Sequence, residues 1–170
     1  MGIEEVAEIV RKIAEGFEDA CVRCLDDNKD IVLESVREQL KSGLDGEGKH
    51  LSPTYDDDPF FQEKGIWYNR TDDYKKWKRS IEVKVDNILN LPLRPDNVPN
   101  LYINGKFYSD IGAERHGSIL TLDSGPDNGP DIISKYGDQI LNIGPTAIEY
   151  FNTNYLVPAI VSFFNDCGYK

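Results

Sequence analysis

Residues with catalytic or metal-binding potential are few in this chain and widely spaced. Histidine occurs at His50 and His116, in segments whose glycine and polar content predicts loops. An imidazole works as a general base only with a nucleophile on one side and an orienting acceptor on the other, and neither neighbourhood supplies that set. Both are expected as exposed loop histidines. Cys21 and Cys24 form a Cys-x-x-Cys pair with Cys167 far away. A structural zinc site needs four ligands, so one pair inside an apolar helical seam reads as small buried hydrophobes. Asp45-Gly46-Glu47-Gly48 and Asp56-Asp57-Asp58 put carboxylates on flexible backbone, but they lack the spaced register and bidentate glutamate of a calcium loop. Solvated acidic loops are expected there. Asp123, Asp127 and Asp131 recur every four residues, yet Pro126 and Pro130 prevent a helix from aligning them. The chain carries no glycine-rich phosphate loop and no nucleophile elbow. The expectation is a protein with no catalytic residues, no cofactor and no metal.

One segment does combine residue types that recognise a ligand. Trp67, Tyr68, Arg70, Tyr74, Lys75, Lys76, Trp77, Lys78 and Arg79 interleave stackable rings with cations, a mixture that suits single-stranded nucleic acid. Lys75, Lys76, Lys78 and Arg79 are the candidate phosphate contacts. The same residues also describe a short amphipathic helix with its rings in the core and its lysines in solvent. Charge disfavours nucleic acid as the main partner. The 170 residues carry 30 Asp and Glu against 19 Lys and Arg, a net −11 that repels a polyanion at long range. By segment, residues 1–58 hold 16 acids and 7 bases, residues 59–100 hold 6 and 8, and residues 101–170 hold 8 and 4. An acidic arm and a slightly basic middle in one chain are what head-to-tail packing between copies would use.

The length fits one domain, and 39% hydrophobic with 29% charged residues is the balance of a globular protein. No apolar run approaches the roughly 20 residues needed to span a bilayer, and no export signal or membrane partner is expected. Apolar residues at Ile3, Val6, Val10, Ile13, Phe17, Ala20 and Cys24 alternate steps of three and four, the seam of an amphipathic helix. The seam shifts phase to Ile31, Val32, Val36 and Leu40. Since neither Pro nor Gly interrupts the phase change near Asp26-Asp27-Asn28, a single long helix over 1–42 is favoured over two abutting ones. Its partner is either the rest of the same domain or a neighbouring subunit.

Residues 43–97 read as an irregular aromatic and basic insertion, with a helical turn near Pro59 and a short helix that Thr71 caps. Asn104-Gly105 between Leu101-Tyr102-Ile103 and Lys106-Phe107-Tyr108 signals a β-hairpin, because both turn positions favour positive φ. Ser118–Leu122 is a further strand. Residues 132–141 and 145–164 return to helical period, with Pro158 bending the last helix or sitting where its missing donor is tolerated. The fold class is therefore α+β: a long N-terminal helix, a central β-hairpin or small antiparallel sheet, and C-terminal helices over 98–170.

Three stretches resemble a known family. Gln39-Leu40-x-x-Gly43-Leu44-Asp45-Gly46-x-Gly48, then Asn104-Gly105-Lys106-Phe107-Tyr108-Ser109-Asp110-Ile111, then Lys135-Tyr136-Gly137-Asp138-x-Ile140-Leu141-x-Ile143 before a terminal helix, are similar to small virion-morphogenesis proteins of tailed bacteriophages. Asn104 stands where that family has Thr, Asp110 falls near its usual Ser, and the segment between residues 50 and 98 is long. The resemblance implies a structural protein of the head–tail connector, neck or tail-completion region. It implies a location in the virion, a ring of copies, and portal, connector or tail proteins as neighbours. A small nucleic-acid or protein-binding module of a bacterial cytoplasm is the alternative. On the assembly reading, loop aromatics grip the neighbours, and Phe60, Phe61, Trp67, Phe107 and Tyr108 are the candidate protein-interface residues.

Overall fold

The structure is a computed structural model that describes residues 2–169. Two helices, not one, form the N-terminal arm: α1 (Ile3–Asp27) and α2 (Lys29–Lys41). They break at Asn28, whose backbone sits at φ −119°, ψ 20°. The Asn28 amide donates to the Cys24 carbonyl at 2.8 Å, so the side chain satisfies an acceptor that a continuing helix would have bonded with backbone. The expected single helix over 1–42 is thus corrected by one asparagine, at the place where the apolar seam changes phase.

α2 is the hub of the core. Val36 and Leu40 are fully buried and pack with Leu51, Val98, Phe107, Tyr108, Ile111, Ile140 and Leu141. Between α2 and the next elements the chain runs through a 3-10 turn (Pro59–Gln62) and α3 (Thr71–Ser80). Thr71 is the first residue of α3 and makes no capping bond; Arg70 occupies the cap position. The extended connector that follows is moored to α2 by Glu38, whose buried carboxylate accepts from Leu89 N–H at 2.8 Å and Leu91 N–H at 3.0 Å.

The hairpin expected around Asn104-Gly105 is a helix instead. Gly105 lies at φ +83° and leads into α4 (Lys106–Asp110), while Asn104 Oδ1 accepts from the Lys106 N–H at 3.0 Å. This side-chain turn favours helix initiation over a return strand. The hairpin forms one step later, from β1 (Gly112–His116) and β2 (Ile119–Asp123), antiparallel with Gly112 opposite Asp123 and His116 opposite Ile119. Gly117, at φ +64°, makes its two-residue turn with Ser118. β2 matches the expected strand; β1 is polar and was not legible. The small antiparallel sheet and the helices on either side give the α+β class that the patterning predicted.

After the hairpin come α5 (Gly129–Tyr136), a 3-10 turn (Asp138–Leu141), α6 (Pro145–Phe151) and α7 (Val157–Asp166). α6 and α7 are joined by a π-helical turn over Asn152–Leu156, with the Val157 N–H bonded to the Asn152 carbonyl. The wide turn directly precedes Pro158, which has no N–H to give, so it absorbs the local mismatch while the helix continues. α7 packs along α1: Phe163 lies against Gly16 and Ile9 against Gly168.

Candidate protein-interaction surface

The fold disperses the chemical candidates. His50 and His116 are exposed, and Cys21, Cys24 and Cys167 are free thiols. Burial raises the Cys24 thiol above its ordinary pKa, with the neighbouring Cys21 adding to the effect. The acidic loops are not simply solvated. Asp45 is buried and its Oδ1 accepts from the Glu47 and Lys49 N–H groups, each at 2.9 Å. Asp58 is also buried, accepting from the Phe60 N–H at 3.1 Å and pairing with Lys135 at 2.5 Å. Among the described residues no group of three or more His, Cys, Asp or Glu side chains is disposed to hold a metal ion.

The basic aromatic segment turns inward. Trp67 and Trp77 rings meet at 5.4 Å, each also packs on Tyr74, and Tyr74 continues to Phe61 and Tyr55 at 5.1 Å. Edge-to-face and tilted contacts of this kind spend the ring surfaces on one another, the packing of a small aromatic core. Lys78 is buried and its ammonium donates to the Tyr102 carbonyl. Lys75 pairs with Asp56 at 2.7 Å and Asp72 at 3.0 Å, and Arg79 pairs with Asp96 at 2.5 Å. Of the four candidate phosphate contacts, Lys76 is exposed with no ion-pair partner among the described residues. Expecting all four lysines and arginines on the solvent face missed that Lys78 lies on the ring side of α3.

The candidate interface aromatics divide in the same way. Phe60 is half exposed and Trp67 is half-buried, but Phe61, Phe107 and Tyr108 are each less than 5% exposed. Phe107 and Tyr108 belong to α4 rather than to a hairpin tip, and the Tyr108 hydroxyl donates to the Asn100 carbonyl at 2.6 Å. They build the core, so the expectation that they grip a neighbour is corrected.

Apolar exposure lies elsewhere, on the paired helices α1 and α7. From Ile3 to Cys21 every charged residue of α1 falls on one half of the helix at 100° per residue, and the other half is uncharged. α7 covers only one edge of that uncharged half, through Ile9 and Gly16. Ile3, Val6, Val10 and Phe17 stay open on the other edge. On α7, Val157 and Val161 are open on the same side, joined to α1 by the Phe17–Phe164 ring contact at 6.2 Å. Next to this strip, between α1, α2 and α6, lies an apolar hollow of about 310 Å³ lined by Cys21, Leu25, Val32, Ile143, Phe151 and Leu156. The seam was visible in the sequence; its excess width over what one helix covers was the unread signal. Among the described residues no helix is long and apolar enough to cross a membrane.

No protein-family model, curated protein or solved structure matches this chain.

Proposed function

We propose that this chain is a non-catalytic assembly subunit, a structural protein of a tailed bacteriophage particle acting in the head–tail connector, neck or tail-completion region. The observation that carries the assembly half of this reading is the open, uncharged side of the α1–α7 pair. A contiguous apolar patch of that extent is unusual on a protein that works alone and marks a docking surface. The resemblance of Gln39–Gly48, Asn104–Ile111 and Lys135–Ile143 to neck proteins supplies the particle. The three stretches also meet in space: Leu40, then Phe107, Tyr108 and Ile111, then Ile140 and Leu141 share one core cluster, and the Gly46 N–H donates to the Gln139 carbonyl at 2.9 Å. They therefore share one structural framework. Quantitative mass spectrometry of purified virions tests the proposal. The chain is expected at fixed multi-copy stoichiometry in the particle; infectious virions that lack it would overturn the reading.

A further inference from the structure

The uncharged half of α1 alternates large and small residues. Ile3, Val10 and Phe17 are spaced by seven, and so are Ala7, Ala14 and Cys21. This is the pattern of a helix seam, with small positions into which the knobs of a facing helix insert. α7 offers matching knobs, Val157, Val161 and Phe164, at helical spacing on the same side of the pair. One surface thus carries both halves of a helix–helix contact, with Ile3, Val10, Val157 and Val161 uncovered and Phe164 partly covered by Phe17.

We infer that this side is covered by the same side of a second copy of the chain, with α1 of each copy lying on α7 of the other. The inference rests on the assembly reading above and names its partner and surface. Charge selects the arrangement. α1 holds eight acids and three bases, whereas Val157–Asn165 of α7 carries no charge. A two-fold axis along the helices puts each acidic α1 over a neutral α7 and keeps the two α1 helices diagonal; an axis across them would stack α1 on α1. The favoured arrangement also repeats the antiparallel α1–α7 packing already present within one copy, giving a four-helix layer. Area agrees. Ile3 is 88% exposed, Val10 58%, Val157 and Val161 54% each, and Tyr169, whose ring packs on Phe164 at 6.1 Å, 60%. Complete covering of these and the remaining open residues buries at most on the order of 700 Å² per copy, near the ~800 Å² per partner of stable interfaces. Since Gly16 faces Phe163 within one copy, the axis brings Phe17 level with Val161 of the second copy and Cys21 level with Val157.

Light scattering on the purified full chain tests this at roughly 100 µM, above the micromolar range of weak interfaces of this size. The expected mass is that of a dimer, and a monomer at that concentration overturns the inference. Phe17→Lys and Val161→Glu are each expected to weaken the dimer at least tenfold with helical content unchanged. Mixing the two variants is expected to restore it, because the introduced ammonium and carboxylate then meet across the axis; a dimer indifferent to both substitutions overturns the surface. Should either variant unfold, hydrogen exchange of the wild type at low and high concentration replaces it. Protection gained on α1 and α7 supports the inference, and protection gained only elsewhere overturns it. A dimer in solution together with absence from virions would refute the phage role and leave this pairing standing.

Discussion

The side-chain amide of Gln39 clasps the backbone at Gly144 across 105 residues of sequence: its Oε1 accepts from the Gly144 N–H at 2.9 Å. Its Nε2 donates to the Asn142 carbonyl at 3.1 Å, so both polar ends of a buried amide are satisfied by one short stretch of chain. A Cβ at Gly144 would collide with that Oε1, which is why the position holds glycine. Gln39→Leu keeps the volume and removes both bonds, leaving the buried Gly144 donor and the part-buried Asn142 acceptor without their partner. The expected loss is about 2–4 kcal/mol, measured by urea unfolding. Gly144→Ala is expected to lose a comparable amount by pushing the amide out of place.

Phe107→Ala gives the clearest separation between core and surface. Phe107 is 4% exposed within the α2 cluster, so truncation leaves a cavity and is expected to cost about 3–5 kcal/mol. At concentrations low enough to keep the chain monomeric, Val10→Ser on the open strip is expected to change unfolding free energy by less than ~0.5 kcal/mol. Paired thermal melts check both; a mild Phe107→Ala would contradict its place in the core.

Helical period was legible wherever apolar residues alternate by three and four, which is why α2, α3 and the α6–α7 run were expected. The hairpin was misplaced because two aromatic-rich runs around Asn104-Gly105 look more strand-like than Gly-Ala-Glu-Arg-His, which has no β-branched residue and forms β1. β1 is mostly solvent-exposed and is held by its ladder to β2, not by burial, so composition does not mark it. The surface was misjudged for a related reason. Aromatics at 107 and 108 signal a large apolar area without saying which side of the chain it faces, and only the α4 turn sends both inward. Asp45 and Asp58 looked like loop acids because their backbone partners are invisible in sequence.

Glu38 ties the proline-rich connector to the core. Its carboxylate accepts the Leu89 and Leu91 N–H groups while itself 2% exposed. Glu38→Ala removes two charge-assisted bonds and is expected to destabilise by roughly 3–5 kcal/mol. More specifically, limited proteolysis should move to residues 82–97, since nothing else of comparable strength fixes those two amides. Cleavage unchanged in that segment would argue that packing of Val83 and Val85 holds it instead.

Stability should carry a pH signature of Lys78. Burial, with the nearby Arg94 charge adding to it, lowers the Lys78 ammonium to about 8, below the ordinary lysine value. Between pH 8 and ~10.4 the unfolded chain therefore binds a proton that the folded chain does not, so this group's contribution to stability rises with pH. Burial acts oppositely on Cys24 and on Tyr55, Tyr74, Tyr108 and Tyr136, all held above their ordinary values. For these groups the unfolded state releases its proton first, so stability falls above about pH 8.5 for the thiol and about pH 10 for the phenols. The readout is the difference between wild type and Lys78→Met, in which the thiol and phenol contributions cancel. That difference is expected to move in favour of wild type by on the order of 2 kcal/mol between pH 7 and pH 9.5. Urea midpoints at several pH values measure it, and a difference that stays flat across that interval would show that Lys78 keeps an ordinary pKa in the fold.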